Sequence, residues 1–76
     1  MAEHILDATG LKCPIPVLRA RKAMKPLSVG DVLVIHATDP SALTDFKNFC
    51  ETTGHEFISS KERDDDVLVF MIKKTG

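Results

Sequence analysis

The chain contains no tryptophan and no tyrosine, and only four phenylalanines among its 76 residues. Flat aromatic platforms on which unpaired bases could stack are therefore scarce. Cysteine is equally sparse. Two residues are too few for a disulfide-scaffolded mini-protein, so the fold must stand on its packed core. Net charge is almost absent: ten Lys plus Arg against eleven Asp plus Glu leave a formal charge of −1, which excludes a generally basic nucleic-acid binder. No apolar run approaches the roughly 18 residues of a membrane-spanning helix. Met1-Ala2-Glu3-His4 lacks the basic-then-apolar layout of a secretory signal. The expectation is a cytoplasmic protein with no membrane partner. There is no CxxC pair, no phosphate-binding glycine loop, no GxSxG and no Cys-His-Asn signature.

What is present is ordinary globular composition, 43% hydrophobic and 28% charged, which argues against disorder. The length suits one small domain, residues 1–76, able to bury roughly 60% of its unfolded surface. No internal repeat, linker or low-complexity segment interrupts it. The near-zero net charge hides an uneven arrangement. From Ala8 to Gly30 stand five basic residues, Lys12, Arg19, Arg21, Lys22 and Lys25, and no acidic one; from Asp31 to Asp66 stand nine acidic residues against Lys47, Lys61 and Arg63. Such asymmetry can orient a partner even when the total cannot.

Hydrophobic periodicity predicts six elements. His4 to Asp7 forms a first strand ended by Thr9-Gly10. A helix follows Cys13-Pro14-Ile15-Pro16 and runs to Met24 or Lys25, with both prolines in its first turn, where an N–H has no partner to lose. Pro16, Val17, Ala20, Ala23 and Met24 fall on its apolar face, Arg19, Arg21, Lys22 and Lys25 on the other, and Ile15 and Leu18 among the charges. Val32 to Ala37 is nearly continuous and β-branched, as in a strand buried on both sides. Asp39-Pro40 then supplies an N-cap and first-turn proline. Leu43, Phe46, Phe49, Cys50 and Thr53 recur through a second helix that Gly54 ends. His55 to Ser60 is a third strand with Phe57 inward, Glu62 to Asp66 a charged turn, and Val67 to Ile72 a fourth strand. The order β-α-β-α-β-β predicts an α+β fold, a two-layer α/β sandwich with two helices packed on one face of a four-stranded mixed sheet.

Cys13 is the most informative residue. Placed just before a proline-led helix, it meets the partial positive charge of the helix N-terminus, and the basic block carries no compensating acid. Both effects favour thiolate and predict a pKa below the ordinary value of about 8.5. Pro14 and Pro16 stiffen the junction and hold the sulfur where it can stay exposed. The alternative is a buried cysteine acting as a small apolar residue. Cys50 fits that alternative better, since it lies on the apolar stripe beside Phe46 and Phe49. A Cys13–Cys50 disulfide is permitted by spacing and disfavoured by a reducing cytosol. His4, His36 and His55 are scattered without ligand spacing, and Asp64-Asp65-Asp66 lacks the spaced oxygens and glycine of a calcium loop, so no metal site is assigned. Asp39 is accounted for as a cap, and Asp39 with Asp45 forms no evident acid–base pair.

Leu6-Asp7, Gly10-Leu11, Cys13-Pro14-x-Pro16, Gly30-Asp31, Thr38-Asp39-Pro40, Asp45, Phe49-Cys50 and Gly54-His55 together resemble the TusA-like (SirA-type) sulfur-carrier family with its CPxP motif, in order and over nearly the whole chain. The resemblance implies the same β-α-β-α-β-β sandwich, and a persulfide carried on Cys13. It implies no cofactor. It also implies a sulfur donor of the cysteine desulfurase or rhodanese type, and a downstream relay acceptor such as a DsrE-like protein. The branches of the family serve tRNA 2-thiouridine synthesis, sulfur oxidation, and molybdenum-cofactor and selenium metabolism, and no residue of the sequence selects among them.

A covalent carrier needs a thiolate to accept sulfur and access to surrender it, and no general base of its own if the partner supplies the rest. It also needs a docking surface. Ile15 and Leu18 offer an apolar centre near Cys13, rimmed by Arg19, Arg21, Lys22 and Lys25, which suits transient association with an acidic partner. The competing reading of those cations is a solvated helix face. The competing function is a non-catalytic nucleic-acid-binding or regulatory adaptor module, motivated by the basic helix and opposed by the scarcity of aromatics. A self-contained redox or isomerase enzyme is a third, opposed by the missing resolving cysteine.

Overall fold

The computed structural model describes residues 2–75. Its elements follow the expected order: β1 (Glu3–Ala8), α1 (Ile15–Met24), β2 (Val32–Ala37), α2 (Ala42–Thr53), β3 (Glu56–Glu62) and β4 (Leu68–Lys73). The strands form one sheet in the order β1-β2-β4-β3. β1 runs parallel to β2, while β4 is antiparallel to both β2 and β3. The mixed four-stranded sheet with two helices is therefore as the residues predict.

Alternation decides which side chains enter the core. Leu33, Ile35 and Ala37 of β2 pair across with Ile72, Phe70 and Leu68 of β4, so one face of the sheet is a continuous apolar surface. Ala20 and Met24 of α1 and Ala42, Phe46, Phe49 and Cys50 of α2 complete the cluster. Phe46 and Phe70 meet at 5.2 Å and Phe46 and Phe49 edge-on at 6.5 Å. Each such fully buried side chain contributes about 1.5–3 kcal/mol.

Three expectations about local structure are corrected. β2 is covered by helices on one face only; Val34 and His36 on its other face are half-buried. Its unbroken apolar run reflects a central position between β1 and β4, which shields the open face laterally. Pro14 stands at the N-cap of α1, leaving Pro16 as the first-turn proline. The Cys13–Pro14 peptide bond is cis. Ser41, not Asp39, occupies the N-cap of α2, and it makes no side-chain cap bond. Asp39 instead accepts the Ser41 N–H at 2.9 Å from two residues upstream, an Asx-type turn that substitutes for a cap.

The remaining boundaries are close to expectation. Gly54 ends α2 at φ +82°, its N–H donating to the Cys50 carbonyl at 2.8 Å, the left-handed stop for which glycine has no Cβ penalty. β3 begins at Glu56 and carries an irregularity between Phe57 and Ser59. The acidic run after Glu62 is a hairpin turn, closed by Arg63 N–H to the Val67 carbonyl at 2.8 Å and braced by an Arg63–Asp65 ion pair at 2.6 Å.

One contact was not legible from periodicity. The Lys74 ammonium, half-buried beyond β4, donates to the carbonyls of Met24, Lys25 and Leu27 at 2.9, 3.2 and 2.6 Å. A cation there meets both the carbonyls at the end of α1 and the negative end of the α1 dipole. Replacing Lys74 with Met is expected to lower stability by about 1–2 kcal/mol, read as a lower urea midpoint with an unchanged denaturant slope.

Candidate functional site

The parallel pairing of β1 and β2 builds the site. With Ala8 beside Ala37, the loops that leave both strands emerge at the same end of the sheet, where parallel strands present their ligand-facing loops. The first loop turns at Gly10, φ +77°, whose N–H donates to Thr38 Oγ1 at 2.8 Å. The second supplies Asp39. Its Oδ2 accepts the backbone N–H of Cys13 while Oδ1 accepts that of Ser41. One carboxylate thus ties the residue that starts α1 to the residue that starts α2. These hydrogen bonds hold Asp39 below the ordinary carboxylate range, the Ser41 N–H contributing most and the Cys13 N–H next.

Cys13 is exposed and Cys50 buried, and both are free thiols. Cys50 is 6% exposed, and burial pushes its thiol up to about 11; it packs as expected. Cys13 departs from expectation. Its thiol is raised above the ordinary value, first by a hydrogen bond to Asp45, then by partial burial, then by the negative charges of Asp45 and Asp39. Against the partial dipole and the block of cations along α1 stand two whole charges, Asp45 from α2 and Asp39 from the loop before it. Arg19 is six residues further along α1 and Lys25 twelve, about 9 and 18 Å of helix axis, where solvent screening is already strong. The nearby carboxylates win. The direction of the shift favours the thiol over the thiolate at Cys13.

The sulfur stands on a ridge between two depressions. One, of about 400 Å³, is lined by Gly10, Leu11, Lys12, Thr38, Asp39 and Pro40 beside Cys13. The other, of about 240 Å³, lies between α1 and α2 and brings together Cys13, Pro14, Arg21, Asp45, Asn48 and Thr52. The residues expected to dock a partner do not form one surface. Ile15 and Leu18, 43% and 55% exposed, join Arg19, Lys22, Leu6 and Ala23 around a groove of about 620 Å³ on the β1 side of α1. Arg21 faces α2, and with Lys25 it borders a separate hollow beside Phe49, His55 and Lys74.

His55 accepts the Thr75 N–H at 3.3 Å and lies 6.0 Å from the Phe49 ring; burial, then the charge of Lys74, lowers its pKa. His4 faces Asp31 at 3.4 Å, and His36 sits on the open sheet face. Among the described residues no three His, Cys, Asp or Glu side chains gather as metal ligands, and no helix is long and apolar enough to cross a membrane. Phe46, Phe49 and Phe70 are buried and Phe57 is half-buried, so none of the four offers an open platform for a base.

Sequence reasoning missed Asp39 and Asp45 as members of the site. Asp39 was explained locally, and Asp45 is separated from Cys13 by 32 positions in the chain. Helical position alone could not show that it turns toward the start of α1.

This fold and site define a class: a small α+β domain presenting one accessible thiol at a proline-led helix start, its second cysteine packed away. Residues 4–74 match the family model described as Sulfurtransferase TusA, and the chain belongs to that sulfur-carrier family. A Neisseria meningitidis serogroup A protein whose name gives it as a candidate sulfur carrier is 50% identical over 64 residues, covering 84% of this chain and 86% of the other. The sulfur carrier protein TusA of Allochromatium vinosum is 47% identical over 70 residues, covering 92% and 91%. The crystal structure of the SirA-like protein of Desulfitobacterium hafniense superposes with a TM-score of 0.84 at 28% identity, covering all of both chains.

Alkylation by iodoacetamide should distinguish the two thiols. In the native protein one label is expected, on Cys13, with Cys50 modified only after denaturation. Because the Cys13 pKa is raised, its thiolate fraction at neutral pH is small, and its rate should inflect at a pH above that of an unhindered model thiol. An inflection below it would restore the dipole-dominated picture.

Proposed function

We propose that the protein carries sulfur as a persulfide on Cys13, receiving it from a cysteine desulfurase or rhodanese-type donor and passing it to a downstream acceptor of the DsrE-like kind. This is the chemistry of routes such as tRNA 2-thiouridine synthesis or sulfur oxidation, carried out in the cytoplasm without a cofactor. The observation that carries the reading is the inequality of the two thiols: one exposed at Cys13-Pro14-x-Pro16, the other buried. A single accessible sulfur can accept a sulfane atom, but it has no resolving partner with which to close a disulfide. The transfer balances without an oxidant. Cys13 sulfur bonds to the donor's terminal sulfur, the donor's S–S bond breaks, and the donor is released as a thiol.

Pro14 and Pro16 position the sulfur in this reading. Pro16 is buried against the core and fixes the start of α1, while Pro14 leads into it. Docking belongs to Ile15, Leu18, Arg19 and Lys22 around their groove, with Arg21 and Lys25 meeting the partner on the α2 side. Apolar contacts between cations fit an acidic partner surface with exposed apolar side chains. Direct nucleic-acid binding has little support, because every phenylalanine is engaged in the core.

Incubation with a cysteine desulfurase and cysteine should give a reducible gain of one sulfur atom by intact mass, absent from Cys13→Ser. No gain across several protein donors would sink the reading. The docking assignment makes its own forecast. The double variant Arg19→Glu, Lys22→Glu should load from a protein donor about tenfold more slowly at low ionic strength. The deficit should shrink as salt is added, since screening removes the attraction that the variant lacks.

A further inference from the structure

We propose that Thr38 is a positioning residue for sulfur transfer: its hydroxyl holds the turn at Gly10 and so sets the direction from which a docked partner meets the Cys13 sulfur. The proposal rests on the persulfide reading and gives that site a working residue outside the Cys13-Pro14-x-Pro16 segment.

The loop between β1 and α1 is tied mostly to itself. Thr9 N–H reaches the Asp7 carboxylate at 3.0 Å, Leu11 N–H the Ala8 carbonyl at 3.3 Å, and Ile15 N–H the Lys12 carbonyl at 2.9 Å. Those bonds shape the loop without deciding where it points. Among the described residues only two hydrogen bonds join it to a distant part of the chain, and neighbouring side chains of the β2–α2 loop receive both. Thr38 Oγ1 accepts the Gly10 N–H at 2.8 Å, across 28 positions, and Asp39 Oδ2 accepts the Cys13 N–H, across 26. A single tether leaves the loop free to swing about it. Two tethers, at Gly10 and at Cys13, fix its orientation. Thr38 is itself well seated, since it follows Ala37, which is buried and paired with Ala8 at the end of β1. Gly10 holds φ +77°, one of many conformations open to glycine, so its N–H keeps this direction only while a partner holds it.

Direction matters because of the chemistry. The Cys13 sulfur, its proton given up to solvent, bonds to the donor's terminal sulfur. The donor's S–S bond breaks, and its electron pair leaves on the donor sulfur, which takes a proton from solvent. Nothing is oxidised or reduced overall. The attacking sulfur has to lie in line with the bond that breaks. A small donor in solution turns until it does. A docked protein donor cannot, so the carrier has to present its sulfur already aligned, and a misplacement of about 1 Å can cost on the order of 10²-fold in rate. Thr38 is neutral, unlike Asp39, so removing its hydroxyl alters alignment without altering charge at the sulfur. Gly10 and Thr38 are both exposed, so water replaces the lost acceptor and the fold does not depend on the bond.

Thr38→Val, close in shape and without the hydroxyl, tests this in the full chain, with folding checked by circular dichroism and the urea midpoint. Loading is followed by intact mass from a cysteine desulfurase supplied with cysteine, or from a rhodanese-type donor if that is the one that loads the unaltered chain, and separately from glutathione persulfide. From the protein donor the maximal rate should fall by about tenfold. The half-saturating concentration should not change, since Ile15, Leu18, Arg19 and Lys22 are untouched. Loading from glutathione persulfide and alkylation by iodoacetamide should be little affected, and the pH at which alkylation inflects should not move. Thr38→Ser, which keeps the acceptor, should recover most of the maximal rate. Damage to the fold would slow all three reactions together, and a docking role would raise the half-saturating concentration instead. Either result, or an undiminished maximal rate in Thr38→Val, overturns the proposal while the carrier reading stands. If the unaltered chain loads from no protein donor, the carrier reading fails and the proposal with it.

Discussion

The parallel pairing of β1 with β2 is the constraint on which the rest of the molecule depends. It requires a crossover, and α1 is that crossover; it brings two loops to one end of the sheet, and those loops hold the sulfur. The register matters because Ala8 and Ala37 are both fully buried, leaving no room for side chains that would push the loops apart. The Asp39 carboxylate then closes the gap between Cys13 and Ser41. Losing it would free two helix starts together, since both backbone N–H groups would lose their carboxylate partner. The placement of the thiol is therefore a property of the sheet as much as of its own helix.

Electrostatics around the thiol run against the simplest reading of the chain. A helix N-terminus contributes about half a charge; of the basic side chains of α1, Arg21 shares a hollow with Cys13, while Arg19 and Lys22 border the groove toward β1. The carboxylates of Asp45 and Asp39 contribute whole charges, and both favour the thiol. A permanently ionised cysteine on a small exposed ridge would be open to indiscriminate oxidation and alkylation, because reactivity tracks thiolate content and access. Holding the sulfur as a thiol limits those losses.

Much of the architecture was legible because it rests on local signals. The alternation of β4, the apolar stripe of Phe46, Phe49 and Cys50, and the glycine stop at Gly54 each report an element from a few neighbouring residues, and the helix geometry correctly left Ile15 and Leu18 in solvent. The errors lie where meaning comes from a distant partner. Asp39 reads as a cap because a cap is the local explanation for an acid before a helix; its bond to Cys13 spans 26 positions. Lys74 looks like a tail residue until its three carbonyl partners, 47 to 50 positions away, are in place. Likewise β2 appears doubly covered from its own residues, and only the placement of both helices shows which face is bare. The resemblance to the TusA-like family had already singled out Asp39 and Asp45 as motif positions without giving them work to do.

A carrier differs from an enzyme in having to serve two partners with one atom, and the basic block of α1 bears on that demand. Its charges do not surround the sulfur evenly. Arg19 and Lys22 border an apolar groove toward β1, while Arg21 looks into the hollow shared with Asp45. A partner seated on the groove approaches from the side away from the carboxylates; one that enters between the helices meets Arg21 and Asp45 first. Two flanks of unlike chemistry beside one sulfur allow partners of unlike surface to reach it in turn, without either needing to match the whole protein. The split of the cations across α1 makes those flanks unlike, which a uniform ring of positive charge would not.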